Sequence, residues 1–190
     1  MDLDELFCRH EIEQVILRLA RATDRRDPEA IRACYHADAF DDHGAFQGSP
    51  AEFAEWVPKV LAMFAATQHF LAPPRIELDG DVAHCETYCT AHHVTPADDP
   101  GGERDSVMGL RYLDRFERRP PTPPGAVSEA RRPQPATALQ PASRGVQSWR
   151  IARRTCVWDY TYIVPAADKW PLGPGFRLGR PDRSDPSYLR

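Results

Sequence analysis

A few aspartate, histidine and arginine side chains, spread along the chain, are the groups best suited to proton chemistry. Asp24 closes an apolar-periodic stretch in RATDRRD, His69 lies in TQHFLAPP, and His92 is the first of two consecutive histidines. His43 follows two aspartates in FDDHG, and Arg154 ends the run WRIARR. Imidazole titrates near ~6.5, so it exchanges protons at neutral pH. A carboxylate on one ring nitrogen fixes the tautomer and stabilises the imidazolium, so these residue types favour general acid–base catalysis.

Motifs for other chemistries are missing from the sequence. It contains no G-x-G-x-x-G, P-loop, H-E-x-x-H or G-x-S-x-G motif, so nucleotide, zinc-protease and serine-hydrolase functions have no motif support. The five cysteines form no C-x-x-C pair, which predicts buried, reduced thiols rather than a disulfide framework or a zinc ribbon. With 24 Lys+Arg against 28 Asp+Glu, the net charge of -4 predicts no nucleic-acid partner.

Three helices are predicted in the first part of the chain. Apolar residues recur at three- and four-residue spacing over 3–24, which predicts a long amphipathic helix. Asp27-Pro28 is typical of a helix start, with Asp27 as N-cap of a short helix over 28–36. Ser49-Pro50 predicts a third helix to about Phe64, in which Pro58 is expected to introduce a kink.

The second part of the chain has the alternation of strands. A strand and turn are predicted over 39–47, and β-branched and aromatic residues alternate over 68–78, 82–94, 107–117 and 147–163. Asp79-Gly80 predicts a turn between the first two of these later strands. Helices first and strands later indicate an α+β class rather than a βαβ repeat.

Two stretches match neither pattern. Seven of the 19 prolines fall in 118–146, a stretch without aromatic residues, which predicts an exposed and disordered insertion. We therefore expect a single domain over 1–164, interrupted at 118–146 and followed by a tail at 165–190. The chain has no run of 18 apolar residues and no basic-then-apolar leader, so we expect no membrane span and a cytoplasmic location.

Long stretches of the sequence resemble the SnoaL-like branch of the nuclear transport factor 2-like superfamily. The resemblance is carried by ELFCRHEIEQVILRLARATDRRDPEAIRACYHADAFDDHGAFQG, then TQHF, RIELDGDVAHCETY, RYLDRFERR and SWRIARRT. The branch includes dehydratases of scytalone and of bile acids and a dehydrochlorinase of hexachlorocyclohexane. The resemblance implies a cone-shaped barrel, in which three N-terminal helices wrap a curved mixed sheet around an apolar cavity. It also implies that no metal or organic cofactor is used.

The resemblance also implies roles for the candidate residues. Asp24 and His69 occupy the positions of a paired aspartate and histidine, and Arg154 matches an arginine on the last strand by its spacing from Trp149. An ungapped count from His69 assigns to His92 the second polar position, on the next strand. We therefore predict Asp24, His69, His92 and Arg154 as catalytic. His43 stands where relatives often carry a tyrosine, and we predict that it binds substrate.

The implied reaction is a cofactor-independent elimination. Asp24 would orient His69, which removes a proton from carbon, and a leaving group such as hydroxide departs with help from His92 or His43 and from the charge of Arg154. The expected substrate is a hydrophobic cyclic molecule such as a steroid, terpenoid or polyketide. Two alternatives stay open: an isomerase or cyclase of the ketosteroid isomerase or polyketide cyclase type, and a non-catalytic ligand-binding or subunit-interaction domain. The resemblance further implies a homo-oligomer, a trimer or a dimer.

Overall fold

Three helices form early in the chain, each started by a side-chain cap. The computed structural model describes residues 2–120, 148–165 and 178–188. Helix α1 is Leu3–Asp24, α2 is Pro28–Ala33 and α3 is Pro50–Leu61. Asp27 caps α2 by accepting from the Ala30 amide at 3.1 Å. Ser49 caps α3 and forms a reciprocal capping box with Glu52, which satisfies amide groups that a helix start leaves without partners.

The strands build one mixed sheet beside the helices. They are β1 (Tyr35–Asp42), β2 (Gln47–Gly48), β3 (Ala66–Leu71), β4 (Arg75–Asp79), β5 (Val82–Val94), β6 (Arg104–Arg119) and β7 (Ser148–Pro165). Their order is β2-β1-β7-β6-β5-β3, and β4 also pairs with β5. Strands β1 and β7 are parallel, and the other pairs are antiparallel. The predicted α+β class and mixed sheet are confirmed, but the described strands do not close into a ring.

The element boundaries differ from the predicted ones where prolines or capping override periodicity. The single strand predicted over 68–78 is two strands, because Pro73-Pro74 cannot donate to a ladder. Helix α3 contains Pro58 and ends at Leu61, three residues earlier than predicted. The chain turns into β1 at Tyr35, inside the stretch predicted as the end of α2. The predicted turn after Asp79 is present, and Gly80 has a φ of +59° there.

The core lies between the helices and the inner face of the sheet. Ile12 of α1, Phe116 of β6 and Ile151 of β7 have no exposed surface, and Trp149 is also buried. Burying an apolar side chain of this size stabilises the fold by about 1.5–3 kcal/mol. All five cysteines are buried and none forms a disulfide, as the sequence predicts.

The outer face of the sheet carries exposed aromatic side chains. Phe70, Tyr88, Tyr160 and Tyr162 are each more than half exposed. The homo-oligomer that the resemblance implies stays a prediction. In the described part of the chain, no helix is long and apolar enough to cross a membrane.

The two stretches outside the regular pattern are only partly described. Arg119 of β6 pairs with Ser148 of β7, so the ends of the proline-rich segment lie side by side on neighbouring strands. Residues 121–147, on which the prediction of disorder mostly falls, lie outside the described residues, as do residues 166–177. Residues 178–188 contact the end of α1: Arg21 donates to the Tyr188 hydroxyl at 3.2 Å, and Arg25 pairs with Asp185 at 3.3 Å.

Candidate active site

An apolar cavity opens between the helices and the inner face of the sheet. Its volume is about 240 Å³. Most of its wall is hydrophobic, and its polar side chains come from separate elements: His69 from β3, His93 from β5, Tyr112 from β6, Arg154 from β7 and His43 from the turn after β1. A mostly apolar pocket with a few polar groups that converge on it is typical of a small-molecule site.

Asp24 and His69 form a hydrogen-bonded pair at this cavity. Asp24 is the last residue of α1, where a carboxylate opposes the helix dipole and needs other partners. Its Oδ1 lies 2.7 Å from His69 Nδ1 and accepts from the Thr67 hydroxyl at 3.0 Å, while its Oδ2 accepts from the His69 backbone amide at 3.0 Å. The two side chains are only 12% and 9% exposed. The predicted contact between Asp24 and His69 is therefore present.

The surroundings of Asp24 determine the tautomer of His69. Burial alone would raise the pKa of Asp24, but the bonds and charge of His69 and the Thr67 hydroxyl outweigh burial and hold this pKa below its ordinary value. The carboxylate can only accept, so Nδ1 of His69 must carry a hydrogen. In the neutral imidazole the lone pair is then on Nε2, which is the form that a general base needs. Asp24 itself lines a groove behind His69, which places it as a positioning residue.

The predicted position of His92 is wrong, because the neighbouring histidine faces the cavity. Successive strand residues point to opposite faces, and Ala91 and His93 share the inner face of β5. His92 faces the outer groove, where it bonds Asp105 at 2.7 Å and is 39% exposed. An ungapped count along the chain could not fix the register between β3 and β5, in which His69 pairs with Ala91.

His93 is the histidine that the sequence prediction missed. Its ring centroid lies 5.5 Å from that of His69 and 4.8 Å from that of Phe64. Burial, together with the charge of the neighbouring His69, lowers the pKa of His93 to about 4. Its Nε2 is buried and has no hydrogen-bond partner among the described residues. His93 is therefore a neutral ring with a free polar atom in an apolar cavity.

Arg154 lies in the cavity wall as half of a buried ion pair. Its Nε and Nη2 both donate to the Asp114 carboxylate at 2.7 Å, and its guanidinium lies 4.0 Å from the centre of the Tyr112 ring. Burial alone would lower the pKa of Arg154, but the Asp114 carboxylate holds it well above its ordinary value. Arg154 is at the cavity as predicted, yet two of its three nitrogens are committed to Asp114. It supplies a fixed positive charge in the wall.

His43 follows β1, near the opposite edge of the sheet from β3, and its side chain lines the cavity and bonds an aspartate. Its Nδ1 bonds Asp41 Oδ1, and the other oxygen of Asp41 accepts from the Tyr35 hydroxyl at 2.6 Å. Asp41 has no exposed surface. The His43 ring is stacked on Phe53, with 4.7 Å between centroids. The predicted placement of His43 at the cavity agrees with the structure, whereas its partners Asp41 and Tyr35 were not predicted.

The remaining cavity wall is mainly apolar. Trp56, Met63, Phe64, Met108 and Trp158 are among the residues that line it. Phe70 and Tyr88 are on the outer face of the sheet, 69% and 58% exposed. The described residues hold no group of three or more His, Cys, Asp or Glu side chains that could bind a metal ion.

Comparison of the sequence with known protein families identifies the class to which this protein belongs. The chain belongs to the SnoaL-like domain family, whose model matches residues 4–155. Among curated sequences, an uncharacterised protein of Mycobacterium tuberculosis is 28% identical over 125 residues, which are 63% of this chain and 82% of that protein.

Solved structures with the same fold include enzymes. A hexachlorocyclohexane dehydrochlorinase of Novosphingobium barchaimii superposes with a TM-score of 0.66 and 16% identity, covering 90% of this chain and 100% of that one. A nuclear transport factor 2-like superfamily protein of Salmonella enterica superposes with a TM-score of 0.58 and 17% identity, covering 90% and 99%. At these identities the likeness establishes the nuclear transport factor 2-like fold alone.

Proposed function

We propose that this protein is a lyase of the dehydratase type that acts on a compact, hydrophobic cyclic molecule. The observation that carries the proposal is the Asp24–His69 pair. His69 lines an apolar cavity, while the Asp24 carboxylate holds its Nδ1 at 2.7 Å. A binding-only cavity gains nothing from a base paired with an acid in this way. The enzyme structures with this fold include a dehydrochlorinase, which removes a proton and a leaving group from a cyclic substrate.

The first step is removal of a proton from carbon. His69 Nε2 takes the proton, and Asp24 stabilises the imidazolium that forms. General base catalysis of this kind contributes about 10²–10⁴-fold, and alignment of the substrate in the cavity supplies further acceleration. A carbonyl next to the reacting carbon would acidify it, so we propose a cyclic carbonyl compound as substrate.

Two other cavity groups suit the negative charge that develops on that carbonyl. His93 lies near His69 and its Nε2 has no partner among the described residues, so it can donate a hydrogen bond to the carbonyl oxygen of the substrate. Because His93 is neutral, it does not repel the imidazolium that forms at His69. Arg154 adds a fixed positive charge that no reorganisation has to create. We therefore assign to His93 the stabilisation of the carbonyl oxygen, a different role from the help to the leaving group that the sequence predicts for His92.

The cavity volume narrows the substrate class. Pockets for drug-sized ligands measure about 300–1,000 Å³, and this cavity of about 240 Å³ is below that range. One or two fused rings suit this space better than the four rings of a steroid. The aromatic wall formed by Phe53, Trp56 and Trp158 offers flat apolar contact to such a ring system.

The test is a substrate panel with mass detection of products. Cyclic β-hydroxyketones with one, two and four fused rings, and a chlorinated cyclohexane, are incubated with the protein and with His69→Gln and Asp24→Asn variants. We expect loss of one water from the smaller ketones and a fall of at least ~10²-fold in both variants. His84→Gln is a matched control, because His84 is exposed on β5 away from the cavity.

The same panel separates the alternative functions. A product of unchanged mass would point to an isomerase or cyclase, in which the same proton abstraction expels nothing. Release of chloride without loss of water would point to dehydrochlorination. Binding of these ketones without any conversion, or conversion that survives both variants in folded form, would refute the proposal.

A further inference from the structure

The cavity wall contains a second histidine, His43, that is bonded to a carboxylate and that the base step does not use. His43 and His69 line the same cavity but come from opposite sides of the sheet, with β7, β6 and β5 between β1 and β3. Each has Nδ1 bound to a carboxylate, which is the fully buried Asp41 in one case and the largely buried Asp24 in the other. Two such pairs in one cavity can divide the two proton transfers of an elimination between them.

We propose that His43 is the general acid that protonates the leaving group, positioned by Asp41 and Tyr35. This inference rests on the proposed lyase function and deepens it. It commits the substrate to a leaving group that needs a proton, which is a hydroxyl rather than a halide. Asp41 and Tyr35 are positioning residues, since they act on the substrate only through His43.

The buried groups around His43 include one more carboxylate than cations. Asp41 and Asp114 are both buried carboxylates, and the Arg154 guanidinium is bound through two bonds to Asp114. An isolated buried carboxylate is costly, and a neutral hydroxyl such as that of Tyr35 does not neutralise it. His43 is the group beside Asp41 that can hold and release a proton.

The other contacts of His43 hold its ring in place. The ring lies over Phe53 with an interplanar angle of 24°, and this aromatic face attracts the ring when it carries the proton to be donated. Gly44 follows with a φ of +76°, and the His43 amide bonds the Phe46 carbonyl at 2.9 Å, so a tight turn holds the histidine in place.

The proposed step balances in atoms and electrons. The C–H bond breaks and its proton goes to His69 Nε2, the electron pair forms the new C=C bond, and the C–O bond breaks with its pair on oxygen. His43 Nε2 gives its proton to that oxygen, and water leaves. His69 ends protonated and His43 neutral, and transfer of one proton through solvent resets both.

The direct test reads the protonation of His43 without any substrate. In protein labelled with ¹⁵N-histidine, the signal of His43 is assigned by its loss in His43→Gln. We expect Nδ1 of His43 to carry a hydrogen, because the Asp41 carboxylate can only accept, and we expect Asp41→Asn to move that hydrogen away from Nδ1. A His43 ring without hydrogen on Nδ1 in the unmodified protein overturns the proposed positioning of His43.

A leaving-group comparison tests the catalytic role. β-Hydroxycyclohexanone needs an acid to expel hydroxide, whereas its β-acetoxy analogue expels a weaker base. We expect His43→Gln to slow loss of water by about 10²–10⁴-fold and loss of acetate by less than ~10-fold, with Tyr35→Phe intermediate. Equal slowing of both reactions by His43→Gln overturns the assignment.

His69→Gln keeps the two proposals distinguishable. If it slows both eliminations, the base step is supported and the His43 result stands by itself. If His69→Gln leaves both unchanged, or the unmodified protein converts neither ketone, the proposed lyase function fails, and the hydrogen on Nδ1 of His43 still decides whether Asp41 positions this ring. His84→Gln again serves as the matched control.

Discussion

Replacement of Asp24 by asparagine should change the tautomer of His69 and thereby remove the base. The carboxylate now accepts from His69 Nδ1, from the Thr67 hydroxyl and from the His69 backbone amide. An asparagine offers one acceptor oxygen and one donor NH₂ in the same place. If the NH₂ faces the backbone amide, two donors oppose each other. If it faces the ring, His69 must accept on Nδ1 and carry its hydrogen on Nε2.

The second arrangement costs less, because only the imidazole hydrogen and the rotatable hydroxyl of Thr67 have to move. Hydrogen bonds to a charged group contribute about 1.5–3 kcal/mol, and the neutral amide is cheaper to bury than the carboxylate. We therefore expect a loss of roughly 2 kcal/mol of folding free energy from Asp24→Asn. Turnover should fall by about 10²–10⁴-fold, because Nε2 no longer has a free lone pair.

Two measurements check this prediction. Nitrogen chemical shifts of ¹⁵N-labelled histidine report the tautomer of His69 directly, and urea unfolding reports the stability. Asp98→Asn is the matched control, since Asp98 is exposed in the loop between β5 and β6. A folded Asp24→Asn protein that keeps the hydrogen on Nδ1 and full turnover would refute the reasoning about this pair.

Three further predictions concern buried charge, backbone conformation and pH. Asp114→Ala should lower the free energy of unfolding in urea by about 3–5 kcal/mol, because it leaves the buried Arg154 charge without a partner. The double variant Asp114→Ala/Arg154→Met should be less destabilised, because it buries no unpaired charge. Gly44→Ala should lower the same free energy of unfolding by about 1–2 kcal/mol, because an alanine is strained at the φ of +76° of this residue. An unchanged urea midpoint would contradict this prediction. The folded state holds the pKa of His93 at about 4, so the unfolded state binds more protons below pH ~6.5. The free energy of unfolding should therefore fall as the pH is lowered from ~6.5 to ~4, and His93 should account for about 3 kcal/mol of this fall. His93→Phe should remove that share of the acid sensitivity in unfolding curves collected across this range.

Local signals were enough for most elements and for several site residues. The caps at Asp27 and Ser49 act within four residues of chain, so the sequence shows them directly. The apolar stripe of α1 is also visible in the sequence, and it carries Asp24 to the end of the helix. Alternation alone predicts one strand over 68–78, whereas Pro73-Pro74 separates β3 from β4, because proline has no backbone N–H to donate to a ladder.

The site residues that the sequence does not predict correctly depend on the pairing of strands that are distant in the chain. His92 and His93 differ by one residue, and a one-residue difference in a strand exchanges the cavity for the outer surface. The choice depends on the register of β5 against β3 and β6, which involves residues far apart in the chain. The same holds for Asp114, which meets Arg154 because β6 and β7 are paired at these positions.

The sequence by itself determined the α+β class, the helix starts, the buried cysteines and the pairing of Asp24 with His69 through family resemblance. These features depend on periodicity, on contacts within a few residues, or on a motif that is present in the chain. Only the tertiary structure decided that His93 faces the cavity, that Arg154 is bound to Asp114, and that Asp41 and Tyr35 support His43. The physical reason is that the charge and protonation of a buried group depend on neighbours that strand pairing brings together, and a linear spacing contains no information about them.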